Sequence, residues 1–140
     1  MKLIANSLAL SSTARMLQKV INTKNPLSIL SNILCKITRH FEDKYTMEMS
    51  AYDGDVYLSR FVALEQADGE QTFCVEAHYL TAALSELSAE QVTLDVDKEQ
   101  NKLTLKYESG ETFFPLSDEL EYPTIPDEEM PETLTLDNGL

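Results

Sequence analysis

Residues 71–87 have the sequence QTFCVEAHYLTAALSEL, and this stretch decides how the rest of the chain is organised. Its first five residues are typical of a short strand, whereas Leu80, Leu84 and Leu87 fall on one stripe of a helix that begins at Ala77. Three more strands are predicted at residues 92–96, 103–107 and 112–116, with turns at Asn101 and at Ser109-Gly110. The unit is therefore one strand, one helix and three strands.

The first half of the chain shows the same order of elements. A strand over Met1 to Ala5 precedes a helix for which Ser7 is the predicted N-cap. The helix has an apolar stripe at Leu10, Ala14, Leu17 and Ile21 and a polar far side at Ser11, Arg15, Gln18, Lys19 and Asn22. Three strands follow at residues 33–37, 45–51 and 56–64, with a turn at Asp53-Gly54. This repeat predicts an α+β fold with the helices on one face of the sheets, because only their apolar stripes need burial.

The character of the sequence changes at Ser117. Residues 118–132 are acidic and contain Pro123, Pro126 and Pro131, which is typical of a linker or an extended wrapping segment. Residues 133–136 resemble the beginning of another strand. We therefore assign residues 1–120 to one domain, and residues 121–140 to a linker and the start of a truncated second domain.

Charge is distributed unevenly along the chain. The net charge is −13, yet residues 1–41 contain six basic residues and no acidic one, whereas the other five basic residues and all 24 acidic ones follow. This asymmetry favours a surface made for an anion on an otherwise acidic body. A chance excess of basic residues is the alternative.

The composition is that of a globular domain, with 43% hydrophobic and 25% charged residues. No apolar run approaches the roughly 20 residues of a membrane span, and no convincing secretory signal is present, so we expect a cytoplasmic protein. Cys35 and Cys74 match neither a CxxC nor a zinc pattern. We expect both to behave as small buried hydrophobic residues.

Enzymatic motifs are weak. Asp53 and Asp55 flank Gly54 and could hold a metal in a small hydrolase, but a calcium loop needs several more oxygen ligands, and turn chemistry explains the pair. His40 and His78 have no evident nucleophile or metal partner. There is no P-loop, no dinucleotide fingerprint and no GxSxG motif. We therefore expect a non-catalytic protein without a cofactor or metal.

Several segments resemble one family, the bacterial DNA sliding clamp, which is the beta subunit of DNA polymerase III. Residues 20–34 resemble its helix-to-strand segment, where a basic residue precedes a Leu-Pro-Ile-Leu-x-Asn pattern; Lys24 is the basic residue here, and Ser28 replaces the usual Pro. Residues 75–87 resemble its second helix. Residues 121–126 resemble the exit from its first domain, and residues 133–136 the opening strand of its second.

The resemblance implies that the two strand-helix-three-strand units form one sliding-clamp domain. The function implied is that of a DNA polymerase processivity factor, a ring that encircles double-stranded DNA regardless of sequence and tethers the replicative polymerase during DNA replication. The full-length protein would form a head-to-tail homodimer, and the polymerase and clamp loader would bind domains outside this chain. The alternative is a protein-interaction scaffold of the same fold that does not bind nucleic acid.

The resemblance also implies site residues. Lys24, Arg15, Lys19 and His78 are the predicted DNA-binding residues, with ordinary solvated cations as the alternative for Arg15 and Lys19. His78 and Tyr79 stand where some members carry basic residues. Phe113, Phe114 and Leu116 are the predicted dimer interface, with core packing as the alternative.

Overall fold

The computed structural model describes residues 1–21, 28–42, 44–87, 90–108 and 110–123, and within these ranges it contains eight strands and two α-helices. The strands are β1 (Lys2–Asn6), β2 (Asn32–Phe41), β3 (Lys44–Tyr52), β4 (Tyr57–Ala67), β5 (Gln71–Glu76), β6 (Gln91–Asp97), β7 (Lys102–Tyr107) and β8 (Gly110–Ser117). The helices are α1 (Ser7–Gln18) and α2 (Ala77–Ser85), and 3-10 turns lie at Ser28–Ser31 and Glu119–Glu121. The predicted order of strands and helices is confirmed.

The strands form one closed antiparallel sheet in the order β1-β4-β3-β2-β5-β8-β7-β6, since β6 also pairs with β1. The order within the first unit, β1-β4-β3-β2, recurs in the second as β5-β8-β7-β6. The two joints between the units are equivalent as well, because Ala5 lies opposite Val92 and Val75 lies opposite Ile33. The repeat seen in the sequence is therefore a pseudo-twofold relation between two halves of one sheet.

Helix α1 begins one residue earlier than the capping prediction requires. Asn6 is the N-cap, with its Oδ1 accepting a hydrogen bond from the backbone N–H of Ala9 at 2.9 Å. The prediction of Ser7 is wrong because β1 continues to Asn6, whose extended backbone carries the chain straight from strand into helix. An asparagine caps a helix about as well as a serine.

The core lies between the inner face of the sheet and the two helices. Inward strand side chains such as Leu3, Ile33 and Met49 form one buried cluster with Leu17 of α1 and Leu80 of α2. The apolar stripes of both helices therefore cover one face of the sheet, as predicted.

The polar side predicted for α1 needs one correction. Ser11 is buried, because the second helix packs against this flank of the first and places Leu84 beside it. Arg15 and Lys19 on the same predicted side are exposed. A small side chain at Ser11 is what allows the two helices to pack together, which the single-helix pattern does not reveal.

A second, smaller cluster covers the outer face of the sheet, and we call it the outer cluster. It consists of the buried residues Leu30, Cys74 and Tyr122, with Ile29, Leu34 and Tyr52 packed around them. Tyr122, which the sequence placed in the linker, thus packs on the domain. The rest of the predicted linker and the start of the second domain, residues 124–140, lie outside the described residues.

The two cysteines lie on neighbouring strands but face opposite ways. Cys35 lies opposite Phe73 and belongs to the main core, whereas Cys74 lies opposite Leu34 and belongs to the outer cluster. Both are free and buried, as the sequence predicted. Burial raises the pKa of the Cys35 thiol far above its ordinary value, and it raises the pKa of Cys74 to about 12.

Candidate nucleic-acid interface

The solvent side of α1 carries the cations Arg15 and Lys19. Leu8, Ser12, Arg15 and Lys19 are exposed at a helical spacing of i, i+4, i+7 and i+11. Neither Arg15 nor Lys19 forms a salt bridge with any residue that the structure describes. Two like charges one helical turn apart cost roughly 0.2–0.5 kcal/mol, a cost that an anion facing them would offset. Both predicted residues therefore lie where a phosphate could reach them.

A shallow groove separates the two helices beside Arg15. It has a volume of about 320 Å3 and is lined by Ser7, Leu8, Ser11 and Arg15 of α1 and by Leu84, Ser85 and Leu87 from the other side. Lys19 lies further along, at the C-cap of α1, where the helix dipole favours a positive charge. The cationic part of the helix layer is thus the C-terminal half of α1.

The second helix contributes little charge. Residues 77–85 contain no Lys or Arg, and His78 in the first turn is exposed. The His78 ring has its centroid 6.1 Å from that of Tyr79, which is itself 6.1 Å from the ring of Phe114. His78 therefore lies on the helix layer as the predicted site requires, but no cation of α2 accompanies it. Lys24, the fourth predicted DNA-binding residue, lies outside the described residues.

One cation that the sequence reasoning did not single out lies next to α1. Arg60 on β4 faces Met49 across the strand pair and shares the inward register of Leu58 and Val62. Its side chain is nevertheless exposed, and its Nη1 lies 3.3 Å from Sδ of Met16 at the side of α1. A signal existed in the sequence, since an arginine in an apolar period-2 register is unusual.

Acidic side chains occupy the opposite face of the sheet. The register of the strands directs Glu48, Asp95, Asp97 and Glu111 outward. Two outer lysines are paired with acids, Lys106 with Asp95 at 3.5 Å and Lys98 with Glu119 at 2.7 Å. The outward strand positions thus carry acids and lysines together, whereas α1 carries cations and no acidic residue.

The three predicted interface residues differ in burial. Phe114 and Leu116 are buried in the main core, at 7% and 4% exposure, whereas Phe113 is 63% exposed. This is the alternative that the sequence had left open for Phe114 and Leu116. Strand alternation explains the split, because neighbouring residues on β8 face opposite sides of the sheet.

Phe113 lies beside an apolar groove of about 730 Å3 between α2 and β8. Its lining residues are Tyr79, Ala82, Ala83, Gln100, Asn101, Lys102, Thr112, Phe113, Phe114 and Pro115. The Nζ of Lys102 lies 5.0 Å from the centre of the Phe113 ring, within the range of a cation–π contact. Phe113 is thus held in place by its neighbours while its outer side stays open.

Two strands are paired on only one side for more than half of their length, at equivalent places in the two units. Within the described residues, β4 pairs with β1 only from Leu64 onward, and β8 pairs with β5 only at Leu116 and Ser117. Residues 57–63 and 110–115 therefore present half-free edges. On β8, the backbone N–H of Leu116 donates to Asn101 on the β7 side, so the proline nitrogen of Pro115 faces the half-free side.

The Asp53 turn has a structural role. The N–H groups of Val56 and Asp55 donate to Asp53 Oδ1 at 2.7 and 2.9 Å, and they hold the pKa of this carboxyl below its ordinary value. Gly54 has a φ of 103°, which the turn requires. No group of metal-ligating side chains occurs among the described residues. The geometry therefore supports the turn interpretation of Asp53 and Asp55.

A closed sheet of two strand-helix-three-strand units, with both helices on one side, defines the class of sliding-clamp domains. A family model described as the N-terminal domain of the DNA polymerase III beta subunit matches residues 1–135, and the chain belongs to this family. The family is that of a non-catalytic subunit of the polymerase. No curated protein sequence matches the chain.

Solved clamp structures share the fold. The Pseudomonas aeruginosa DnaN sliding clamp bound to griselimycin has a TM-score of 0.80 and 22% identity over 94% of this chain and 33% of that one. The Helicobacter pylori beta clamp bound to a DNA ligase peptide has a TM-score of 0.79 and 21% identity over 90% of this chain and 33% of that one. The beta subunit from Streptococcus pyogenes DNA polymerase has a TM-score of 0.78 and 19% identity over 91% of this chain and 33% of that one. The chain thus spans about a third of the length of these clamps.

None of the helices in the described ranges is both long enough and apolar enough to span a lipid bilayer.

Proposed function

We propose that this chain is the first domain of a ring-shaped sliding clamp that encircles duplex DNA and keeps the replicative polymerase attached to it. The cationic, acid-free solvent side of α1 carries the proposal. Arg15 and Lys19 form no salt bridge with a described residue, whereas the lysines at the outward strand positions stand among acids. A protein that surrounds DNA needs cations on its inner surface and gains from an outer surface that repels DNA.

The chemistry of the helix layer suits sliding. Lysine and arginine bind phosphate without reading the base sequence, whereas each base-specific contact would stop the protein at one place. The exposed stripe of α1 carries no Asn, Gln, Asp or Glu, the side chains that read adenine and cytosine. We therefore expect weak, salt-dependent binding by one domain, with long residence supplied by closure of the ring.

The half-free strand edges support assembly into a ring. They lie at equivalent places in the two units. Domains of the same fold joined head to tail could therefore continue the sheet from β8 of one domain to β4 of the next. The apolar groove beside Phe113 would lie at such a joint. We propose that β8 joins a second subunit of the full-length protein in the cytoplasm, and that the polymerase and clamp loader bind domains beyond this chain.

A salt titration of DNA binding tests the proposal. If Arg15, Lys19 and Lys24 each neutralise one phosphate, changing all three to Ala should make the slope of log K against log salt shallower by about 2.7. The measurement is made on two duplexes of unrelated sequence, and we expect equal affinity for both.

The matched control changes Lys2, Lys36 and Lys44 to Ala, because these lysines lie on the outer face and alter the net charge by the same amount. We expect this control to keep the slope of the unmodified chain. A clear preference for one duplex, or equal slopes in both triple variants, would contradict the clamp proposal and favour the scaffold alternative.

A further inference from the structure

Arg60 is placed by the strand register and by the reach of its side chain. It lies opposite Met49 and in line with Leu58 and Val62, so its Cβ starts on the side of the sheet that holds the core. Residues 57–63 of β4 project beyond its pairing with β1, and here α1 lies beside the strand. The side chain therefore leaves the core side at the flank of the helix and is exposed.

The contact with Met16 orients the guanidinium without neutralising it. The Nη1 of Arg60 lies 3.3 Å from Sδ of Met16, and a thioether is a weak acceptor that carries no charge. Arg60 forms no salt bridge within the part of the chain that the structure describes. Most of its five N–H donors are therefore available to an anion.

The surroundings extend an existing cationic surface. Met16 follows Arg15 and lies one turn before Lys19 on α1, so the guanidinium rests against the cationic half of this helix. By contrast, Arg39 on the far hairpin is occupied, since its Nε donates to the Glu42 carbonyl and its backbone N–H donates to Glu70.

We propose that Arg60 binds a backbone phosphate of duplex DNA and that Arg15, Lys19 and Arg60 form one composite phosphate surface at the corner between α1 and β4. The inference rests on the proposed function. A guanidinium offers two parallel N–H donors to a phosphate, so a strand residue adds a bidentate contact beside the two helical cations. The sheet thereby takes part in DNA binding along with the helices.

The test compares Arg60→Gln with Arg60→Lys and with Lys36→Gln, a charge-matched change on the outer face. Arg60→Gln should make the salt slope of duplex binding shallower by about 0.9, so that its affinity deficit shrinks about 3.5-fold between 50 and 200 mM salt. Arg60→Lys should keep the slope because it keeps the charge. Lys36→Gln should leave the slope unchanged, and urea unfolding should show equal stability for all three variants.

The outcomes separate this inference from the proposed function. Absence of any salt-dependent binding by the unmodified chain would overturn both. A slope that flattens when Arg15 and Lys19 are changed to Ala, but not in Arg60→Gln, would overturn the Arg60 inference alone. A loss of stability in Arg60→Gln at an unchanged slope would likewise make Arg60 a packing partner of Met16 and not a phosphate ligand.

Discussion

Nearby residues on β8 differ in burial because successive side chains of a strand point to opposite faces of the sheet. Phe113 is exposed beside Lys102, whereas Leu116 is buried against the strand that carries Val75. Side chains that the sequence groups together are thus divided between surface and core. The contribution that we propose for β8 to a subunit joint therefore rests on Phe113 and on the groove beside it.

Substitutions by aspartate separate these roles in the full-length protein. Phe113→Asp should weaken dimerisation by at least 10-fold, or about 1.4 kcal/mol, at unchanged stability, because it would place an unpaired charge in a desolvated apolar contact. Leu116→Asp should instead destabilise the domain by several kcal/mol, because it buries an unpaired charge. Sedimentation and urea unfolding measure the two effects. A dimer constant unaffected by Phe113→Asp would place the joint elsewhere.

Single residues were only partly predictable from sequence. The exposed positions of Arg15 and Lys19 follow from helical periodicity, and those positions are confirmed, although their binding to DNA stays a prediction. Ser11 and Arg60 could not be placed, because their surroundings depend on which element packs beside them. The inward register of Arg60 is visible in the strand pattern, but its emergence beside α1 depends on where β4 stops pairing with β1.

At the scale of elements, the chain leaves the domain through a fixed contact. The 3-10 turn Glu119–Glu121 is capped by Asp118, whose Oδ1 accepts from the N–H of Leu120 at 3.0 Å. Tyr122 then inserts into the outer cluster at 6% exposure, whereas Leu120 stays 86% exposed. The exit segment is therefore part of the domain.

Tyr122→Ala should lower the free energy of unfolding by about 3 kcal/mol, because it removes most of a buried aromatic side chain. Tyr122→Phe keeps the ring and removes a buried hydroxyl that has no hydrogen-bond partner among the described residues, so it should be neutral or slightly stabilising. Leu120→Ala is the matched control within the same turn and should have no measurable effect. Urea denaturation measures the free energy of unfolding of each variant. Similar decreases for the alanine variants of Tyr122 and Leu120 would show that the outer cluster does not stabilise the domain.

The elements themselves were largely predictable. Their order follows from local periodicity and turn residues, and the structure confirms it, with ends displaced by a few residues. The closure of the sheet was not predictable, because the pairing of β1 with β6 and of β2 with β5 joins distant segments that have no local signal. The outer cluster was missed for the same reason, since Leu30, Cys74 and Tyr122 are far apart in sequence.

At the scale of the whole molecule, two buried thiols and a buried phenol with raised pKa values make the free energy of unfolding depend on pH in the alkaline range. Burial raises the pKa of Cys35, Cys74 and Tyr122, in the case of Cys74 to about 12, and the negative charge of Glu119 adds to the effect on Cys74. These groups stay protonated in the folded state at pH values where the unfolded chain has lost their protons. Their contribution is complete below the unfolded pKa values and is lost as pH rises toward the folded ones.

Stability under reducing conditions should therefore be constant to about pH 8 and should fall from about pH 9 upward, where unfolded thiols and then phenols ionise. Cys74→Ala should be less stable than the original at neutral pH because of the lost packing. Its decline with pH should be shallower, by up to about 1.4 kcal/mol per pH unit. Urea midpoints measured from pH 7 to 10.5 provide the comparison, and parallel profiles for the two proteins would contradict the assignment to Cys74.

The half-free edges also bear on how this chain behaves at high concentration. An unpaired strand edge is a template for β-aggregation, and proteins commonly protect such edges with proline and with charge. Pro115 removes one N–H donor from the half-free side of β8, and Arg60 places a cation on the half-free stretch of β4. Pro115 thus protects the edge of β8, and Arg60 that of β4, against irregular, amyloid-like stacking. The remaining backbone groups of each edge stay available to a correctly matched strand.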